Sequence, residues 1–178
     1  MFEGAEAFNN NKTSNNVTSL NWNTSNVVDM SYMFHGASSF NIDINTTTNP
    51  DHWSTANVRN MSYMFCDAKT FNGNITNWNT SNVTNMSHMF HGASKFNRAI
   101  KTAPANKPTR WVTSNVTDMT EMFRSAAAFN QDLSTWSVGA QCGLGDMFTD
   151  SGLIKENYCK IYNSTSWLVK PILQFDCK

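Results

Sequence analysis

The chain has 178 residues, with 13 basic and 13 acidic side chains, so its formal net charge is zero. This length corresponds to about one domain, and the balanced charge argues against a nucleic-acid-binding protein, which normally carries a basic excess. Asparagine, serine and threonine make up 62 residues and ionisable side chains are sparse, which disfavours an enzyme because active sites gather such groups. We find no apolar run long enough for a transmembrane helix and no signal-peptide pattern.

A repeat of 25 residues, lengthened in some copies by 6 to 8, runs along the chain from its start. The chain opens with Met1-Phe2, a pair that lies in the middle of later copies, and the repeat fades near Gly152. We therefore expect a repeat region over 1–151 and a C-terminal cap over 152–178. Because an open end of stacked repeats exposes core, we expect missing repeats or a partner to cover the N-terminal end.

The copy that starts at Trp78 reads W-N-T-S-N-V-T-N-M-S-H-M-F-H-G-A-S-K-F-N. Met89, Phe90, Ala93 and Phe96 follow a helical spacing, and the preceding serine or threonine is a good N-cap, so each copy is expected to hold one short helix. Shorter segments such as 83–86 predict short strands. Because one copy cannot bury its apolar stripe alone, successive copies are expected to stack as a solenoid.

The apolar positions that recur in phase are the predicted core, and the in-phase methionines are interpreted as gap-filling core residues rather than soft-metal ligands. The core residues are Trp22, Met30, Phe34, Trp53, Met61, Phe65, Trp78, Met86, Phe90, Trp111, Met119, Phe123 and Trp136. Asparagines at one phase are expected to stack from coil to coil. Two such columns are Asn41, Asn72, Asn97 and Asn130, and Asn26, Asn57, Asn82 and Asn115.

The motif W-x-T-S-N-V-T-x-M-S-x-M-F-x-x-A-x-x-F-N resembles the repeat of BspA-like leucine-rich-repeat surface proteins, especially the variant of mycoplasma surface lipoproteins. The resemblance covers residues 1 to about 150. It implies an α/β, leucine-rich-repeat-like solenoid of about five to six coils of 25–33 residues. It also implies display outside the cell, with adhesion or protein binding, and it carries no catalytic residues.

The chain has four cysteines. Cys159 and Cys177 lie in the predicted cap and are a disulfide candidate, with Cys142 as the competing partner. A disulfide would indicate an oxidising compartment. Sequons arise throughout the repeat, and the loop copies Asn11 and Asn45 are the glycosylation candidates.

Metal-ligand residue types recur at one position of the repeat, at His35, Cys66 and His91, in a column expected to be exposed. Neighbouring helices stand roughly 8–10 Å apart, too far for shared ligation. His88 and His91 are three residues apart, but their neighbours offer no third ligand. The sequence therefore predicts no metal site, and no cofactor.

Six basic residues lie between Asp67 and Asp118 with no acidic residue among them. Five surround the longest insertion and are the predicted contact site for an anionic protein patch or glycan. These residues are Lys95, Arg98, Lys101, Lys107 and Arg110. The alternative is a solvated loop whose lysines only aid solubility.

Two functions fit these patterns. The first is a non-enzymatic, surface-displayed module that binds a protein or glycan. The alternative is a structural subunit of an extracellular assembly, such as a cell-surface layer, filament or virion coat. Either function places the chain outside the cell or at a cell or virion surface.

Overall fold

The described part of the chain contains a single helix, which lies outside the repeats. A computed structural model describes residues 4–6, 20, 22–45, 53–100, 111–172 and 174–177. Within these ranges the helix α1 spans Lys155–Asn163, and no strand exceeds a single paired residue. Four isolated parallel bridges join neighbouring repeats, and a fifth joins Val138 to Trp167, which lies after the repeats; the four are Asp29 to Asn60, Asn60 to Asn85, Asn85 to Asp118, and Asp118 to Gly143. The expected α/β leucine-rich-repeat-like solenoid, with a helix and strands in every coil, is therefore wrong.

Backbone conformation explains why the repeats form no helix. His88 and Glu121, each directly before a Met-Phe pair, have φ values of 55° and 54°, whereas a right-handed helix requires negative φ. Four residues after His88, Gly92 again has positive φ, at 67°. The predicted N-cap also differs, because the Ser87 N–H donates to Oδ1 of Asn85 (2.9 Å) in a local turn. Each repeat is therefore a series of tight turns.

Hydrogen bonds of these turns alternate between the same repeat and the next one. The N–H groups of His88 and Phe90 donate to the carbonyls of Thr120 and Met122, at 2.8 and 2.9 Å. The intervening Met89 N–H instead donates three residues back within its own repeat. Neighbouring repeats therefore lie at the spacing of hydrogen-bonded main chains, about 4.8 Å, rather than at the spacing of packed helices.

Aromatic side chains fill the interior in columns that cross the repeats. Phe65, Phe90 and Phe123 stack with ring centroids 5.5 and 5.7 Å apart, and Trp78 and Trp111 stack at 6.2 Å. The predicted core residues are buried, except that Trp22 is half-buried. Successive tight turns, rather than the predicted helices, therefore direct these side chains into the interior.

Asparagine side chains join successive repeats, as the sequence indicates. Oδ1 of Asn72 accepts the N–H of Asn97 (3.0 Å), and Oδ1 of Asn97 accepts the N–H of Asn130 (2.9 Å). In the second column, Nδ2 of Asn82 donates to the Ala56 carbonyl of the preceding repeat (2.7 Å). Each amide therefore satisfies backbone groups that a turn leaves unpaired.

The segment after the repeats covers the last repeat. The Ile154 N–H continues the asparagine ladder by donating to Oδ1 of Asn130 (3.2 Å), and Trp167 stacks on Trp136 at 6.5 Å. Cys159 and Cys177 form a disulfide. In the part of the chain that the structure describes, no helix has the length and hydropathy of a membrane span.

Candidate functional site

Two columns of side chains flank the Met-Phe pairs, and their residue types vary among the repeats more than those of the core do. The column directly before the pair consists of Tyr32, Tyr63, His88, Glu121 and Asp146. The column directly after it consists of His35, Cys66, His91, Arg124 and Thr149. We call them together the variable columns. Most of their residues are half-buried or exposed, although Cys66 is buried, contrary to the expectation of an exposed column.

Rings in the first column form a stack near the surface. Tyr32 and Tyr63 are 4.7 Å apart between centroids, and Tyr63 and His88 are 4.3 Å apart, with nearly parallel planes in both pairs. Tyr32 is exposed. The stack therefore presents an aromatic edge, and it also fixes the ring of His88 against its neighbour.

The imidazoles of His88 and His91 converge on one carboxylate from the next repeat. The distance from Nδ1 of His88 to Oε2 of Glu121 is 3.5 Å, and that from Nδ1 of His91 is 3.0 Å. Nδ1 of His91 is buried and has no hydrogen-bond partner within the described residues, because the short approach to Glu121 lacks hydrogen-bond geometry. Side-chain exposures of 19%, 30% and 22% for His88, His91 and Glu121 leave the group partly open to solvent.

Charges around this cluster are mixed. Nη1 of Arg124 lies 3.5 Å from Oε1 of Glu121, whereas the histidines lie closest to Oε2. The same Nη1 lies 3.6 Å from Oδ2 of Asp146. Burial is the main cause that lowers the pKa of His88 below its usual value, although the carboxylate of Glu121 opposes the shift. His88 is therefore a neutral imidazole at neutral pH, with a lone pair available to a ligand.

A second group combines two residues of the variable columns with a neighbouring aspartate, nearer the N-terminus. Ligand atoms of His35, Cys66 and Asp67 lie within 4.8 Å of one another. Sγ of Cys66 donates to Oδ2 of Asp67 at 3.9 Å, and burial, followed by the charge of Asp67, raises the pKa of the thiol to about 12. Cys66 is therefore a protonated thiol at neutral pH.

An open groove runs beside the second asparagine column. It has a volume of about 410 Å³, and its lining residues are Asn26, Val28, Asn57, Arg59 and Asn82. Val28 is half exposed. Amide, guanidinium and apolar groups therefore occur together on this surface.

The structure describes only part of the predicted contact site. Lys95 and Arg98 are exposed, and Nε of Arg98 donates to the Asn72 carbonyl (2.6 Å), which ties the start of the insertion to the preceding repeat. Lys101, Lys107 and Arg110 lie outside the described residues, as does the glycosylation candidate Asn11.

The other glycosylation candidate, Asn45, lies in a contact between repeats. Its Oδ1 accepts the N–H of Asn77 at 2.8 Å, and the side chain is half-buried. Its amide therefore already takes part in joining two repeats.

Sequence reasoning missed the third member of the histidine cluster. The expectation that His88 and His91 have no third ligand type nearby is wrong, because Glu121 of the next repeat supplies a carboxylate. The estimate of 8–10 Å between coils assumed helices, which these repeats lack. Aligning the repeats would have revealed the signal, since Glu121 occupies the same position as His88.

Comparison with curated proteins and with solved structures finds no match to this chain. A family model does match, over residues 1–102 and again over 45–162. The matched ranges include the repeats, both ligand clusters and all but the last residue of the C-terminal helix. The chain therefore belongs to the family described as "Mycoplasma protein of unknown function, DUF285".

Proposed function

We propose that this chain is a non-enzymatic interaction module, displayed outside the cell, that binds a protein or glycan. The observation that carries the proposal is a contrast within the repeats. The buried positions repeat the same residue types, as in Phe65, Phe90 and Phe123, whereas each variable column holds four different residue types in five copies.

This contrast is typical of repeat proteins that bind other molecules. Stacked repeats create an extended surface on a uniform scaffold, and binding specificity then comes from residues that the scaffold does not need. The ring stack of Tyr32 and Tyr63 supplies rigid aromatic surface, and aromatic residues are enriched at interfaces. The groove beside Arg59 adds hydrogen-bonding groups.

The basic segment indicates an anionic partner. Lys95 and Arg98 are exposed at its start, and the following residues 101–110 add three more cations. An acidic glycan or an acidic protein patch is the complementary chemistry, and its attraction weakens with salt because the screening length is about 8 Å at physiological ionic strength.

Display outside the cell rests on two arguments. The repeat motif resembles those of BspA-like surface proteins, and the disulfide between Cys159 and Cys177 is a bond that persists mainly in oxidising compartments. Membership of a family of unknown function adds no further argument about location.

The test is binding of the purified chain to immobilised heparin, an acidic glycan, at low and moderate salt. One variant replaces four basic residues of the segment with serine: Arg98, Lys101, Lys107 and Arg110. The matched control replaces four basic residues elsewhere with serine: Lys69, Lys155, Lys160 and Lys170. Because the two variants have the same net charge, a general loss of positive charge weakens heparin binding equally in both. Weaker binding by the first variant than by the second therefore indicates a specific contact site in the basic segment.

Equal retention of both variants at both salts, with unchanged thermal melts, would contradict the basic contact site. Sedimentation velocity of the unmodified chain distinguishes a binding module from the alternative function, a structural subunit of an assembly. A structural subunit forms large concentration-dependent assemblies, whereas a binding module remains a small discrete species.

A further inference from the structure

We propose that His88, His91 and Glu121 form a binding site for a divalent transition-metal ion of the Zn²⁺ type. Two ligands come from one repeat and the third from the next. The ion would therefore join neighbouring repeats and leave a coordination position open to water or to a side chain of a binding partner.

Separations between the ligand atoms suit such an ion. In a tetrahedral site with bonds of 2.0–2.1 Å, adjacent ligand atoms lie about 3.3 Å apart. Nδ1 of His88 and Nδ1 of His91 lie 3.5 and 3.0 Å from Oε2 of Glu121, and the three ligand atoms all lie within 4.8 Å of one another. These separations are close to those between ligands that share one ion.

The backbone positions all three ligands before an ion arrives. The His88 N–H donates to Thr120 (2.8 Å) and the His91 N–H to the His88 carbonyl (3.2 Å). The Glu121 N–H donates to Gly145 (2.8 Å) in the following repeat. Glu121 is therefore held opposite the histidines by main-chain bonds on both sides of its repeat.

Neighbouring side chains favour a ligand role over a simple ion pair. Tyr63 stacks on the His88 ring at 4.3 Å, and Arg124 approaches the other oxygen of Glu121 at 3.5 Å. This arrangement orients the carboxylate and leaves Oε2 facing the imidazoles, as neighbouring groups do around metal ligands. Nδ1 of His91, which has no hydrogen-bond partner among the described residues, gains one bond from an ion.

Donor chemistry selects the class of ion. Two imidazole nitrogens and one carboxylate oxygen suit Zn²⁺, Co²⁺, Ni²⁺ or Cu²⁺, whereas Mg²⁺ and Ca²⁺ prefer all-oxygen sites. The positive charge of Arg124 opposes any cation, but the carboxylates of Glu121 and Asp146 near its guanidinium offset that charge.

The test is isothermal titration of the untagged full chain with ZnCl₂ after removal of metal by a chelator. We expect one Zn²⁺ per chain, and we expect Co²⁺ to give the visible absorption of a four-coordinate complex. Glu121→Gln and His91→Ala should each weaken binding by at least about tenfold. The matched control is His35→Ala, which removes a histidine from the other cluster of the same columns.

The outcomes separate the possibilities. No Zn²⁺ binding by the unmodified chain overturns the proposal. It is also overturned if Glu121→Gln binds Zn²⁺ as tightly as the unmodified chain, and weaker binding by His35→Ala would then place the ion at the second cluster. Thermal melts of the metal-free variants check folding, and the nearly isosteric Glu121→Gln variant keeps the test informative if His91→Ala is unstable. Zn²⁺ should raise the melting temperature of the unmodified chain but not that of Glu121→Gln.

Discussion

Replacing Phe90 with alanine tests whether aromatic columns stabilise the stack. Phe90 is fully buried and packs against Phe96 at 3.9 Å within its repeat, and against Phe65 and Phe123 of the neighbouring repeats at 5.5 and 5.7 Å. Truncating a buried phenylalanine costs about 3–5 kcal/mol of unfolding free energy. Because rings on both neighbouring repeats lose their partner, we expect a value in the upper half of that range.

The matched control is Phe148→Ala. Phe148 is also buried, but it stacks only on Phe123 (5.8 Å) among the described rings. Each aromatic pair contributes about 0.5–1.5 kcal/mol beyond buried area, so Phe148→Ala should cost about 1–3 kcal/mol less than Phe90→Ala. The assay is urea denaturation followed by both tryptophan fluorescence and circular dichroism. An equal or smaller loss for Phe90→Ala than for Phe148→Ala would show that the aromatic columns do not stabilise the stack.

Three further predictions concern single features of the fold. A Cβ on Gly73 would clash with the Ile42 carbonyl oxygen, whereas one on Gly139 would meet none of the described atoms within 4 Å. Gly73→Ala should therefore lower stability by about 1–3 kcal/mol and Gly139→Ala should not; equal melts would contradict this. The two free thiols are buried, so a thiol reagent at pH 8 should label them only after denaturation, and rapid native labelling would show that the burial is wrong. Asn97→Ala leaves the Asn130 N–H without its acceptor and should cost about 1 kcal/mol, whereas Asn97→Asp keeps an acceptor and should cost less, as unfolding curves of both variants can show.

The buried positions could be predicted from the sequence, but the local structure could not. The position of Phe90 in the repeat is enough to identify it as a core residue. Phenylalanine recurs at this position in every copy, tryptophan and alanine recur at positions of their own, and such recurring apolar side chains face one interior. The helix was mispredicted because consecutive turns place Phe90 and Phe96 in one interior just as a helix would. The decisive left-handed residues are His88 and Glu121, and neither is the glycine or asparagine that usually marks positive φ.

The histidine cluster could not be predicted because helices were expected in the repeats. Asn97 was correctly placed in a ladder because amide stacking follows from repeat phase alone. Predicting the contact between Glu121 and His91 requires knowing the distance between neighbouring repeats. That distance is set by main-chain hydrogen bonds and cannot be deduced from the pattern of side chains. Once the repeats are known to lie at hydrogen-bonding distance, the cluster follows from aligning them.

Main-chain hydrogen bonds join each repeat to the next, and scalar couplings across these hydrogen bonds can be measured in solution. We expect couplings from the amide nitrogens of Met86, His88 and Phe90 to the carbonyl carbons of three residues in the next repeat, Asp118, Thr120 and Met122. Couplings from amides of this segment to carbonyls four residues earlier in the same repeat, the pattern of an α-helix, would contradict it.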